Sequence, residues 1–70
     1  MRRTFETNAA KLRSLLDDRR MTTAELARGA AISQRTAYTV TSQNRQTDRM
    51  TCFRIADALD VETADFVEGV

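Results

Sequence analysis

Residues 22–40 read "TTAELARGAAISQRTAYTV". Two short helical patterns lie here almost end to end. In the first, Thr22 or Thr23 can cap the start, and Thr22 with Glu25 three residues later has the capping-box spacing. Leu26, Ala27 and Ala30 then supply an apolar inner face, and Gly29 weakens the helix near its end. Ser33 reads as the N-cap of the second pattern. At about 100° per residue, Gln34, Arg35, Tyr38, Thr39 and Ser42 share one arc, polar throughout apart from the tyrosine ring. Thr36, Ala37, Val40 and Thr41 occupy the other side, where Ala37 and Val40 can pack inward. A helix that spends half its surface on amides, hydroxyls, a guanidinium and a phenol is unusual in so small a chain.

The flanking sequence extends the helical reading. Thr4 is a plausible cap for a first helix in which Phe5, Ala9, Leu12 and Leu16 recur on one face, widened by Leu15. Arg19 and Arg20 fall in its last turn, where they suit the negative end of the helix dipole. The segment "SQNRQTD", residues 42–48, reads as a polar loop. Thr47 or Asp48 would cap a fourth helix carrying Cys52, Ile55, Ala56 and Leu59 inward, with Phe53 off that stripe at the edge of the core. A final short helix is expected from near Glu62 or Thr63, with Phe66, Val67 and Val70 on its apolar side. The sum is an all-α, five-helix bundle in one domain spanning residues 1–70, with residues 1–4 as a basic arm.

Composition sets further bounds. Seventy residues with no proline, two glycines and one cysteine fit a single helical domain without a disulfide framework. The lone thiol and the lack of a secretory signal point to a cytoplasmic protein, and Cys52 reads as core packing. The net charge of +1 conceals an asymmetry. The first twenty residues carry six basic side chains (Arg2, Arg3, Lys11, Arg13, Arg19, Arg20) against three acids. Residues 48–70 carry Arg49 and Arg54 against six acids. An anionic partner for one face is one reading, and unremarkable surface charge is the other.

Two helices joined by a three- or four-residue turn form a helix-turn-helix. They cross steeply, so a small residue is needed where they meet, and Ala27 is placed for that. Residues 22–40, with "MTCFRIADALDV" at 50–61, resemble the phage lambda repressor and Cro type of helix-turn-helix proteins, whose members commonly show an "IAxALxV"-like stretch. The resemblance covers nearly the whole chain. It departs at Ala31, where the family often has glycine, and at Thr23, where it often has glutamine. Thr23 can bond a phosphate but cannot brace Gln34 as a longer amide would.

The resemblance implies a sequence-specific regulator of double-stranded DNA, most simply a phage or bacterial repressor on a palindromic operator. Its third helix would enter the major groove N-terminal end first. Gln34 would pair with adenine, and Arg35 with guanine or a phosphate. Tyr38 and Thr39 would touch a thymine methyl or the backbone. Ser33, Ser42, Thr22 and Thr23 are expected at phosphates, with Asn44 and Arg45 as backbone clamps. Arg2 and Arg3 form either an arm around the duplex or a free tail. An ordinary solvated helix face remains the alternative for each of these residues. A homodimer on DNA is expected, with Phe66, Val67 and Val70 as its patch, unless Phe66 simply closes the core.

Two alternatives keep the scaffold and change the role: an antitoxin that grips a toxin and regulates its own operon, and the N-terminal part of a longer repressor. Enzyme chemistry is not indicated, since the chain has no histidine, no glycine-rich phosphate loop and no EF-hand spacing. No cofactor or metal is expected. A single aromatic on the third helix, Tyr38, disfavours RNA stacking.

Overall fold

The computed structural model describes residues 4–68. In chain order the elements are β1 (Thr4–Thr7), α1 (Ala9–Asp18), α2 (Thr23–Ala30), α3 (Gln34–Ser42), β2 (Arg45–Asp48), α4 (Arg49–Leu59), a single 3₁₀ turn (Thr63–Asp65) and β3 (Val67–Glu68). The fold is therefore mostly helical with a small sheet, and the expected five-helix, all-α count is corrected to four α-helices, one 3₁₀ turn and three short strands. None of the described helices is long and apolar enough to cross a membrane.

The first correction falls at residues 4–7. Thr4 does not cap a helix. It opens a strand in which Thr4 and Glu6 face out while Thr7 is buried and Phe5 half-buried. Alternation in "TFET", rich in β-branched and aromatic side chains, suits a half-buried strand. Phe5 matched the helical spacing only because a period of two and a period of 3.6 both reach the core side there. Asn8 caps α1 instead, its Oδ1 accepting from the Lys11 N–H at 3.0 Å.

The second correction is the polar "loop". Its residues 45–48 form β2, antiparallel to β1 with Thr4 opposite Asp48 and Thr7 opposite Arg45. β1 is the centre strand, in the order β2–β1–β3. Threonine hydroxyls hold this sheet: Thr7 Oγ1 lies 3.2 Å from Thr47 Oγ1, and Thr4 Oγ1 donates to Gln46 Oε1 at 2.7 Å. Asp48 ends the strand and caps α4, accepting from the Thr51 N–H.

The third correction is at the C-terminal end. The 3₁₀ turn hands the chain to β3, whose Val67 pairs with Thr7. The Phe66 carbonyl accepts from the Asn8 N–H at 2.8 Å. Phe66 is fully buried and Val67 is 4% exposed, so both complete the chain's own core with Leu12, Leu26, Ile55 and Leu59. They do not form the expected dimer patch, because a side chain already inside one subunit has no surface to offer another. Val70 lies outside the described residues.

α1 also ends at Asp18, so neither Arg19 nor Arg20 lies in its last turn as the charge pattern suggested. Arg19 is its C-cap rather than a last-turn residue. Its guanidinium donates to the Leu59 carbonyl at the end of α4 and to the Leu15 carbonyl of α1. One cation thus satisfies otherwise orphaned carbonyls at two helix ends.

Candidate nucleic-acid interface

The interface is built from α2, a three-residue connection and α3. The capping box at Thr22 is present as its spacing predicts, with Thr22 Oγ1 accepting from Glu25 N–H and Glu25 Oε1 accepting from Thr22 N–H. α2 stops at Ala31, which adopts φ 57°, ψ 42°, and the Ile32 N–H returns to the Ala27 carbonyl at 2.9 Å. Ala31 thus takes the left-handed backbone that favours glycine, at a steric cost to its Cβ, as it closes the connection between α2 and α3. Ile32 plugs the turn against the core. Ala27, 3% exposed, is among the small buried residues of α2, and Gly29 brings the helix close to α4, where a Cβ would stand 3.5 Å from that of Ala58.

α3 is anchored by small side chains. Ala37, Val40 and Thr41 are buried, and the Thr41 hydroxyl is satisfied within the helix by the Ala37 and Tyr38 carbonyls. Ser33 caps the first turn through the Thr36 N–H at 3.0 Å. The outer arc is therefore free of core duty. Gln34 and Arg35 are exposed, and Tyr38 is 66% exposed. Thr39 is half-buried and donates to the Arg35 carbonyl. Gln34, Arg35 and Tyr38 together put an amide, a guanidinium and a phenol on one rod, the donor and acceptor types that match base edges in a major groove.

The expected phosphate ligands are placed less uniformly. Thr22 and Thr23 stand at the amino end of α2, where the Thr22 and Glu25 N–H groups are already taken by the capping box. The Ser33 hydroxyl donates to Thr36 Oγ1, and the Ser42 hydroxyl donates to the Tyr38 carbonyl at 2.6 Å. In this arrangement both protons serve α3 itself. Asn44 accepts from the Ala9 N–H through Oδ1, tying the residue before β2 to the start of α1. Arg45 is exposed. Arg2 and Arg3 lie outside the described residues.

One residue was missed from the sequence. Arg13, on the exposed side of α1, sends Nη1 to the Thr41 carbonyl at 2.7 Å. It lines an open cleft of about 510 Å³ with Thr23, Tyr38 and Ser42. Arg13 and Thr41 are 28 residues apart in the chain, with α2 between them, and only the packing of α1 against α3 brings the two together. Among the described residues no cluster of histidine, cysteine or acidic side chains could hold a metal.

Cys52 plays no part in this surface. It is fully buried, and its Sγ points to the Thr47 carbonyl. Burial, with a smaller push from the Asp48 carboxylate, raises its pKa to about 11.

Residues 11–70 match the family model of the Cro/C1-type helix-turn-helix DNA-binding domain. The chain belongs to this family, and it is a DNA-binding helix-turn-helix protein of transcription regulation. A similar fold is seen in the crystal structure of the restriction-modification controller protein C.AhdI from Aeromonas hydrophila, at TM-score 0.75 and 21% identity, covering 81% of this chain and 86% of that one. No curated protein matches the chain.

Proposed function

We propose that the chain is a homodimeric repressor that reads a two-fold-symmetric operator with α3 in successive major grooves, about 34 Å apart. Gln34 and Arg35 read base edges from the first turn of α3. Tyr38 and Thr39 contact a thymine methyl or the sugar-phosphate backbone one turn later. The amino end of α2 at Thr22 and Thr23 holds one phosphate, and Asn44, Arg45 and Arg13 flank the backbone on the other sides. Base contacts specify, and the phosphate contacts fix register.

The observation that carries this reading is the division of labour on α3. Its buried side is made of Ala37, Val40 and Thr41, while Gln34, Arg35 and Tyr38 stand in solvent. Methylation interference on a selected duplex tests it. Modification of guanine N7, a major-groove atom, should block binding at positions repeated about one turn apart. Interference confined to minor-groove atoms would contradict the docking.

A further inference from the structure

α4 turns four side chains directly away from the core: Met50, Phe53, Arg54 and Asp57. At ~100° per residue they fall within about 100° of arc, opposite Cys52, Ile55, Ala56 and Leu59. The outward face of a surface helix is normally polar. Here Met50 is 59% exposed and Phe53 43%. With Tyr38 they are the exposed large hydrophobic residues among those described, and Tyr38 belongs to the recognition face.

Phe53 is also held in place. Its ring meets that of Phe5 edge-on, with centroids 6.2 Å apart and planes at 70°. The Arg49 guanidinium lies 5.7 Å from both ring centroids. Arg49 Nε is buried with no hydrogen-bond partner among the described residues, so ring contacts are what the structure gives this side of the guanidinium. A half-exposed aromatic fixed in advance loses little freedom on docking, which is the character of an interface anchor.

We infer that this stripe receives a second copy of the chain, α4 against α4 and antiparallel about a two-fold axis. The inference rests on the dimeric reading above and assigns its surface. A two-fold contact must be self-complementary, and the charges on α4 meet that condition. With the axis passing between Ile55 and Ala56, Arg54 of one copy faces Asp57 of the other, and symmetry repeats the pair. Met50 is carried towards Val61, half-buried just past the end of α4. The acidic end of each α4, with Asp57, Asp60 and Glu62 nearby, then lies over the end of its mate that holds Arg49 and Arg54. A parallel arrangement would set like charges together. One helical stripe is small beside the ~800 Å² per partner of stable complexes, so the free dimer should be weak and be firmed by joint engagement of DNA.

Sedimentation equilibrium of the 70-residue chain across a micromolar range tests this, with thermal melts to confirm folding. Phe53→Glu should raise the dimer dissociation constant at least tenfold. Arg54→Asp and Asp57→Arg should each weaken the dimer, and R54D/D57R together should restore it. A dimer indifferent to all four variants would overturn the assigned surface while leaving dimerisation intact. A monomer at every concentration, and also on an operator-length duplex, would overturn surface and dimer together. Binding of the natural chain to non-specific duplex at low salt reports DNA contact separately: its absence in a chain that dimerises through this surface would count against the DNA reading alone.

Discussion

The guanidinium of Arg13 on α1 donates to the carbonyl of Thr41, in the last turn of α3, at 2.7 Å. The bond satisfies a carbonyl that the helix end leaves without an intrahelical partner. It uses one of five guanidinium donors, and the side chain also lines the cleft shared with Thr23 and Tyr38. We expect Arg13→Ala to weaken binding to duplexes of any sequence and to reduce the slope of log affinity against log salt by about one. An unchanged slope with a lowered melting temperature would assign Arg13 to helix capping alone.

Gln34 and Arg35 are exposed at the start of α3, so truncation should leave the fold intact. Gln34→Ala and Arg35→Ala should each cost about 1–3 kcal/mol of discrimination at one base position per half-site. Binding to non-specific duplex should fall for Arg35→Ala more than for Gln34→Ala, because only the former removes a charge. Competition binding with single-base operator variants measures both effects.

Ala31 takes a left-handed backbone at φ 57°. Glycine relieves the Cβ clash, worth about 1–2 kcal/mol, but also loosens the unfolded chain by about 0.4–1 kcal/mol. Ala31→Gly should therefore stabilise the protein by about 0.5–1 kcal/mol, a rise of a few degrees in Tm. A fall in urea midpoint would show that the alanine methyl contributes packing at this turn.

Phe66 fills the core between the helices and β3. Phe66→Ala should cost about 3–5 kcal/mol, a large part of the margin of so small a domain. The variant should show a collapsed urea midpoint at every protein concentration. A folded variant that differed only in self-association would restore Phe66 to an interface.

Cys52 has its pKa raised to about 11 by burial and, secondarily, by Asp48. The folded state therefore favours the neutral thiol more than the unfolded chain does. Its contribution to stability is intact below about pH 8.5 and is lost as pH climbs towards 11. Alkylation at pH 8 should run at least a hundredfold slower than in urea, in keeping with the scarce and buried thiolate. Equal rates would mean the thiol is not sheltered in solution.

The helix-turn-helix was legible because its signals are local. Thr22 with Glu25, Ser33 ahead of Thr36, and the spacing of Leu26, Ala30, Ala37 and Val40 all act within a few residues. The strands were not legible, because each is stabilised by partners some forty to sixty residues away. Thr4–Thr7 and Arg45–Asp48 carry polar alternation that looks like a cap and a loop until they are paired. Phe66 and Val67 have the composition of a patch and the location of a core. The outer arc of α3 could be read because polarity on a helix face is periodic, whereas Arg13 enters the site only through the packing of α1 on α3.

The central claim is that α3 reads base pairs, and selection of random duplexes measures it most directly. Parallel selections should be run with the natural chain and with Q34A/R35A. We expect the natural chain to enrich a two-fold-symmetric motif, and the double variant to lose its preference at matching positions in both half-sites while still binding duplex at low salt. Enrichment of the same motif with equal affinity by both proteins would contradict the claim.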